Sequence, residues 1–213
     1  MSKRFFNYLK LTGFAFFLIA GCCKPALIGS LPVQLHPQET RNWCWAASGQ
    51  MIMDYLGHDV AQCVEANNRF NRNDCCNIDL CPPPTETVTY DAFGNCVGCP
   101  CGGWPEFNKY GFDFKKTSNA ALSWKDLREQ ISNEPNCKKR PFAFTWHWPG
   151  GGGHMMVAKG YLTVAGTNYV VMLDPWAPCV GDERIITYSY YVESAGHHTH
   201  WNDYYNIKYT GRK

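Results

Sequence analysis

Apolar side chains recur at helical spacing along the stretch that follows Cys44. Ala47, Met51 and Tyr55 fall on one face of a helix, and Gly57 stands where such a helix would stop. The pattern predicts a helix that begins at Cys44. Because unpaired backbone N–H groups and the positive end of the helix dipole lie in a first turn, a thiol there can ionise below its free pKa of about 8.5. A catalytic role and a structural role for this cysteine are both open at this point.

Further elements follow from the same kind of pattern. A second helix is predicted over 60–70, and a third over 123–132, where Ser123 and Asp126 resemble a capping box. After Pro141 the period of the apolar residues changes to two. Strands are predicted at 142–148, 154–164, 169–173, 184–192 and 204–209. Helices in the first half and strands in the second predict an α+β architecture in two lobes.

Two of the predicted strands, 154–164 and 169–173, form a hairpin through the turn 165–168. Antiparallel pairing places the start of one strand beside the end of the next. His154 and Asp174 are therefore predicted neighbours. Singly, His154 could be a structural histidine and Asp174 a turn residue before a proline. In the order Cys, His, Asp, together with Cys44, they predict a catalytic triad.

Composition limits the class of protein. The chain has 213 residues, enough for one ordinary domain, and 15% of them are aromatic. Its charged share of 18% and its formal net charge of +2 give no reason to expect a nucleic-acid partner. The twelve cysteines are more informative, because their meaning depends on the compartment.

The amino terminus indicates that compartment. Lys3 and Arg4 form a positive start, and the apolar stretch that follows, Leu11–Ala20, is too short to span a membrane comfortably. It runs into Ile19-Ala20-Gly21-Cys22, which resembles the bacterial lipobox, where the signal is cut before a cysteine that then carries lipid. An ordinary secretory signal cut nearby is the alternative. We expect a signal peptide at 1–21, lipidation of Cys22 and an extracytoplasmic, membrane-anchored lipoprotein in the periplasm or at the cell surface.

The stretch after Cys22 contains several breakers of regular structure, among them Pro25, Gly29 and Pro32. We expect residues 22–37 to form a tether that is too short to hold a folded pro-domain. The folded domain is expected over 38–213. Within it, residues 71–105 are crowded with Asn, Pro, Gly and Cys, which predicts a long, loop-rich insertion.

The cysteine count favours disulfides in this insertion. Setting Cys22 and Cys44 aside leaves ten cysteines, an even number that fits an oxidised framework whose pairing the sequence does not specify. The spacing of Cys96, Cys99 and Cys101 is also typical of zinc ligands. Outside the cytoplasm we favour disulfides and expect no metal.

Several motifs, taken in chain order, resemble those of papain-like cysteine proteases. Gln38 stands six residues before Cys44, the spacing of the family's oxyanion-hole glutamine, and Cys44-Trp45-Ala46 followed by Ser48 is similar to its nucleophile helix. The run His154–Tyr161 resembles the family's histidine strand, and Asp174-Pro175-Trp176 stands in place of its Asn-Ser-Trp. The resemblance implies a two-lobed fold, with the nucleophile on a helical lobe and His and Asp on an antiparallel β lobe. It also implies hydrolysis of peptide bonds through a thioester.

The resemblance implies a role for each residue as well. Cys44 is the nucleophile, His154 its ion-pair partner and proton donor, Asp174 the group that orients His154, and Gln38 an oxyanion donor beside the Cys44 N–H. The usual Cys-Gly-Ser-Cys-Trp box is absent and Asp replaces Asn, which looks more like a bacterial branch that includes bacteriocin-leader peptidases and plant-pathogen effector proteases. We expect a peptide or protein substrate, no cofactor and a monomer.

Two other functions remain open at this stage. A transglutaminase-type acyl transferase would use the same residue order and the same thioester, and would pass the acyl group to an amine. A non-catalytic, cysteine-rich surface lipoprotein that binds a partner would have a blocked or misplaced triad. His197, His198 and His200 could bind a metal, but we favour a solvated loop.

Overall fold

The structure, a computed structural model, describes residues 21–77, 81 and 88–212. Apart from Gly21, the predicted signal peptide lies outside these residues. The helices are α1 Cys44–Tyr55, α2 Gln62–Phe70, α3 Trp124–Ile131 and α4 Tyr188–Val192, with a 3-10 turn at Phe107–Tyr110. In this part of the chain, no helix has both the length and the apolar character needed to cross a bilayer.

The strands are β1 Ile28–Ser30, β2 Thr89–Tyr90, β3 Cys96–Val97, β4 Phe112–Lys116, β5 Phe142–His147, β6 Gly153–Val164, β7 Thr167–Asp174, β8 Asp182–Thr187, β9 Glu193–Ser194 and β10 His198–Tyr209. One antiparallel eight-stranded sheet runs in the order β4-β10-β5-β6-β7-β8, with β1 added to β6 and β9 to β10. β2 and β3 form a separate hairpin inside the insertion. Four helices beside a large antiparallel sheet confirm the α+β prediction.

The predicted apolar face of α1 packs on the sheet. Met51 and Ile52 are fully buried, and α1 lies against β5 and β6, whose Met156 and Val157 are also buried. Complete burial of such side chains contributes about 1.5–3 kcal/mol each. The core thus fixes the helix that begins at Cys44 against the strand that begins beside His154.

The predicted hairpin is present as β6 and β7. Its connecting residues Ala165 and Gly166 both have positive φ, 48° and 78°. Two positive φ angles match the twist of the flanking strands in a two-residue hairpin turn. The register pairs Val157 with Leu173, so β7 ends beside the first residues of β6.

The prediction that 22–37 is a structureless tether is wrong. Ile28–Ser30 forms β1 and pairs with β6, and Cys23 is joined to Cys137. Farther along, Leu31 and Val33 are buried while the residues between and after them are exposed. β1 forms despite the prolines because Pro25 and Pro32 lie outside Ile28–Ser30.

The predicted strand 184–192 is only partly correct. β8 ends at Thr187, whose hydroxyl accepts a hydrogen bond from the Tyr190 N–H at 3.2 Å. That contact caps the short helix α4. The tyrosines that suggested a strand by their β propensity instead pack from a helix, with Tyr191 fully buried.

Ten cysteines form five disulfides, and Cys22 and Cys44 are the two free thiols. The pairs are Cys23–Cys137, Cys63–Cys76, Cys75–Cys99, Cys81–Cys179 and Cys96–Cys101. The motif that suggested zinc is therefore engaged in disulfide bonds. Five disulfides are typical of a protein in an oxidising, extracytoplasmic compartment.

Candidate active site

The nucleophile candidate Cys44 lies in the first turn of α1 and is partly buried. Its neighbours fix this end of the helix to the insertion. The Trp43 indole N–H donates to the Cys99 carbonyl at 2.7 Å, and the Trp45 indole N–H donates to the Cys101 carbonyl at 3.3 Å. Because both indoles are buried, the disulfide-rich loop and the start of α1 are held together as one unit.

His154 and Asp174 are neighbours, as the hairpin register requires. Nε2 of His154 lies 2.6 Å from Oδ1 of Asp174, and the aspartate side chain is almost fully buried. The other ring nitrogen of His154, Nδ1, is left for the Cys44 sulfur, with which His154 makes a side-chain hydrogen bond. The structure therefore brings the thiol, the imidazole and the carboxylate together, with His154 between the other two.

The ionisation of Cys44 follows from its partners. Burial alone would raise the pKa of the thiol. The hydrogen bond and the positive charge of His154 act in the opposite direction, as do backbone hydrogen bonds from Met155 and Trp45. Together they outweigh burial and leave the pKa of the thiol below its usual value.

Opposite causes act on His154. Burial lowers the pKa of the imidazole, but hydrogen bonds to Asp174 and Cys44, together with the charges of both groups, raise it well above its usual value. With the pKa of the sulfur lowered and that of the ring raised, a thiolate–imidazolium pair is favoured between them. This charge state is the one that a cysteine nucleophile needs.

Asp174 has further partners that hold it as a carboxylate. Burial raises its pKa, but the hydrogen bond and charge of His154, the Trp176 N–H and the Arg184 charge lower the pKa below its usual value. The Trp176 N–H donates to Oδ1 at 3.0 Å, and Arg184 Nη1 lies 3.3 Å from Oδ2. Arg184 was absent from the sequence-based site, because a charged residue in an alternating strand indicates only an exposed face.

Gln38 is buried beside the same cavity. Its Nε2 donates to the Thr40 carbonyl at 2.9 Å, and Oε1 has no hydrogen-bond partner among the described residues. Its backbone is held on both sides: Gln38 N–H donates to the Pro175 carbonyl at 3.0 Å, and Cys179 N–H donates to the Gln38 carbonyl at 2.8 Å. The loop that follows Asp174 thus also positions Gln38.

A cavity of about 700 Å³ opens beside these groups, and Gln38, Cys44, His154 and Asp174 all line it. Much of the rest of its wall is aromatic: Trp45, Trp104, Trp146, Trp148, Trp176, Tyr190 and Trp201. The Trp148 ring lies nearly parallel to that of His154, at 15° and 6.5 Å between centroids. Trp176 is half exposed, so it is not a core tryptophan. Sequence reasoning missed most of this wall, because its members come from segments that meet only in the folded chain.

The solvated loop predicted for the three late histidines is wrong for two of them. His198 and His200 are buried in β10, where His198 Nε2 lies 2.8 Å from the Tyr190 carbonyl oxygen and His200 Nε2 lies 3.0 Å from Asp203 Oδ1. His197 is exposed in a turn and lines the cavity. His197 Nδ1 lies 2.8 Å from His198 Nδ1, whereas both ring nitrogens of His200 face other partners, Tyr191 and Asp203.

Comparison with known proteins adds one positive finding. The model of a family described as "Peptidase_C39 like family" matches residues 30–209. No curated protein matches the chain.

Proposed function

The chain belongs to the Peptidase_C39-like family and is a cysteine-type peptidase; from this premise we propose that Cys44, His154 and Asp174 are its catalytic triad and Gln38 its oxyanion donor. The observation that carries the proposal is the position of His154. Its Nε2 bonds to a buried carboxylate at 2.6 Å, and the ring also bonds to the Cys44 thiol at the wall of a large cavity. An imidazole with these two partners can hold a thiolate and then deliver a proton.

The reaction then has two halves. The Cys44 thiolate attacks the peptide carbonyl carbon, and the oxyanion is stabilised by the Cys44 backbone N–H and a Gln38 Nε2–H. His154 transfers its Nδ1 proton to the leaving amine as the C–N bond breaks, which leaves a thioester on Cys44. Neutral His154 next takes a proton from water, and the hydroxide attacks the thioester. The tetrahedral intermediate releases the carboxylic acid and restores the thiolate–imidazolium pair.

We propose further that the peptidase works outside the cytoplasm, attached to a membrane by lipid on Cys22. Cys22 is a free, exposed thiol at the end of a lipobox-like sequence, and the five disulfides favour an oxidising compartment. The domain that carries the site extends over 38–213, with the segment 22–37 packed on it.

The first test is the change Cys44→Ala. We expect cleavage of a denatured protein or a peptide library to fall by at least 10³-fold, because the nucleophile is lost and only the binding groups remain. The matched control is Cys22→Ser, which removes the other free thiol and should leave cleavage unchanged. Undiminished cleavage by Cys44→Ala would reject the assignment of the nucleophile.

The same preparation separates the alternatives. Product masses measured with and without an added amine distinguish hydrolysis from acyl transfer, since a transferase would yield the amide of the added amine. Failure of Cys44 to react with iodoacetamide near neutral pH would favour a non-catalytic binding protein.

A further inference from the structure

We propose that the face formed by residues 22–28, the β6–β7 turn and the first turn of α3 lies flat on a lipid bilayer, with the catalytic cavity held away from it. The inference rests on the proposed lipid anchor at Cys22 and goes beyond it, because an anchor alone leaves the orientation of the protein undefined. The occupant of this face is an anionic bilayer surface.

The first observation is that the residues directly after Cys22 are bound to the folded domain. The next residue, Cys23, is bound through its disulfide to Cys137. The Arg128 Nη2 donates to the carbonyls of Pro25 and Ala26 at 2.7 and 2.9 Å, and Thr163 N–H donates to the Leu27 carbonyl at 3.0 Å. A lipid on Cys22 would therefore join the folded body directly and bring this face to the headgroups.

The second observation is an exposed apolar patch beside the attachment point. Leu27 and Ile28 have 65% and 66% of their surface exposed, and Val164 has 51%. Thr163 bonds to Leu27 and Leu162 pairs with Ile28. Because side chains alternate along a strand, Ile28 and Val164 share one face and Leu27 lies on the other, so this edge of the sheet exposes apolar side chains on both sides. Exposed apolar residues grouped in this way are typical of a surface that meets another apolar phase.

The charge around the patch fits anionic headgroups. Lys24 follows the clamped Cys23, Lys138 follows its disulfide partner Cys137, and both are exposed. The Lys125 ammonium lies within electrostatic range of Cys22 and pairs with Glu129 at 2.8 Å. Basic residues near an anionic surface are attracted to it, and Glu129 and the exposed Glu134 reduce this attraction.

The position of the cavity follows from β6. Leu162, which pairs with Ile28 at the patch, and His154 at the cavity are eight residues apart on this one strand. At about 3.3 Å per residue, this places the site about 26 Å along the strand from the membrane face. A bilayer under the patch would leave the cavity open to peptides in the aqueous phase.

Lysine acetylation of the full chain tests this orientation. The chain would be expressed with its own amino terminus in a bacterial host, and mass spectrometry would establish lipid on Cys22. The lipidated protein would then be incorporated into vesicles of equal parts phosphatidylglycerol and phosphatidylcholine and treated with an acetylating reagent. The reference is the Cys22→Ser chain, secreted behind a conventional signal and added to the same vesicles.

We expect Lys24, Lys125 and Lys138 to react at least threefold more slowly in the lipidated protein than in the reference. Lys109, which pairs with Glu106 at 2.7 Å and donates to the Asn68 carbonyl of α2, should react equally in both. Replacing Leu27 and Ile28 together by serine should reduce the protection. The matched control Phe93→Ser removes an apolar side chain that is 89% exposed in the insertion, and it should have no effect.

Two results would overturn the inference, one by excluding the fixed orientation and the other by excluding the lipid anchor. Equal acetylation everywhere, with lipid confirmed on Cys22, would show a freely rotating body and leave the anchor intact. Absence of lipid on Cys22 would remove the anchor itself. Cleavage of a soluble peptide, assayed in the same samples, reports on the peptidase independently and shows that the variants are folded.

Discussion

The two ring nitrogens of His154 face different partners, and this division sets the pH range of the ion pair. Nε2 is bound to Asp174, which leaves Nδ1 for the Cys44 sulfur. The pKa of the sulfur is lowered and that of the ring is raised. Below the first pKa the sulfur is protonated, and above the second the ring is neutral. A bell-shaped pH profile whose limbs belong to the coupled pair is expected.

Asp174→Asn should move the alkaline limb of that pH profile to lower pH and so narrow the profile. The amide can still accept a hydrogen bond from Nε2, but it lacks the charge that raises the pKa of His154, so the ring loses its proton at lower pH. Each unit of pKa shift corresponds to about 1.4 kcal/mol, and we expect kcat/KM at pH 8 to fall by about tenfold or more. The measurement is kcat/KM, together with the rate of Cys44 alkylation, from pH 4 to 10.

Asp182→Asn is the matched control for this change. Asp182 also binds Arg184, at 3.1 Å, but has no hydrogen bond to His154. The substitution Asp182→Asn should leave the alkaline limb of the kcat/KM profile unchanged. If the limb in Asp174→Asn coincides with that of the wild type, Asp174 does not act through the charge of His154.

At the scale of single residues, the sequence predicted best those catalytic residues whose positions are set by pairing within one hairpin. His154 and Asp174 could be placed together because a hairpin determines which of its residues meet. Trp148 and Arg184 could not, because their contacts depend on how β5 and β8 approach the cavity. No local pattern distinguishes Arg184 from an ordinary exposed strand residue.

At the scale of elements, the packing of α2 on α1 explains a glycine inside the nucleophile helix. A Cβ at Gly49 would lie 2.6 Å from a carboxylate oxygen of Glu65. Glycine lowers the stability of a helix by about 1 kcal/mol relative to alanine. At position 49 its lack of a side chain leaves room for the Glu65 side chain. That carboxyl is buried, and neither of its oxygens has a hydrogen-bond partner among the described residues. Burial, followed by the charges of Asp59 and Glu106, raises its pKa well above the ordinary 4.5.

This carboxyl should make the fold less stable as the pH rises. The folded-state pKa exceeds the unfolded one, so the folded chain keeps a proton that the unfolded chain releases. The favourable contribution is complete below about pH 4.5 and is lost as the pH rises through the folded-state pKa. Glu65→Gln cannot ionise, so its free energy of unfolding should fall less between pH 5 and pH 8. Each unit of raised pKa corresponds to about 1.4 kcal/mol.

Urea unfolding at both pH values, without reductant, measures the effect. The matched control is Glu134→Gln, at an exposed position, which should follow the wild type. A wild type and a Glu65→Gln variant that lose equal stability over this range would contradict a buried, protonated Glu65.

Predicted elements were correct where one signal dominated. α1, α3 and the β6–β7 hairpin combine a clear period with a stop, a cap or a turn. The segments 22–37 and 188–192 failed because partners distant in sequence decide their structure. β1 forms because it pairs with backbone groups of β6. α4 forms because Thr187, at the end of β8, caps it.

At the scale of the whole molecule, the disulfides link segments whose association the sequence leaves open. An even count predicted an oxidised framework, but ten cysteines allow many pairings, and only the fold selects one. Cys81–Cys179 is the most consequential for the site. It joins the insertion to the loop after β7 across a sequence separation of 98. In that loop the Pro175 carbonyl and the Cys179 N–H hold both sides of the Gln38 backbone.

Removing this disulfide should therefore impair turnover through Gln38. In the double variant Cys81→Ser/Cys179→Ser, we expect kcat to fall toward the value for Gln38→Ala, which lacks one oxyanion donor and should lose about 10²-fold. The rate of Cys44 alkylation should stay near the wild-type value, because the contact between Cys44 and His154 does not involve this loop.

A matched variant separates this effect from a general loss of stability. Cys23→Ser/Cys137→Ser removes a disulfide with a similar separation of 114, whose two cysteines do not line the cavity. Both double variants should lose about 2–4 kcal/mol of stability, so both are assayed well below their melting temperatures. Only the first should lose kcat on a soluble peptide. Equal losses of kcat would mean that the disulfides act through stability alone and that Gln38 is positioned without Cys81–Cys179.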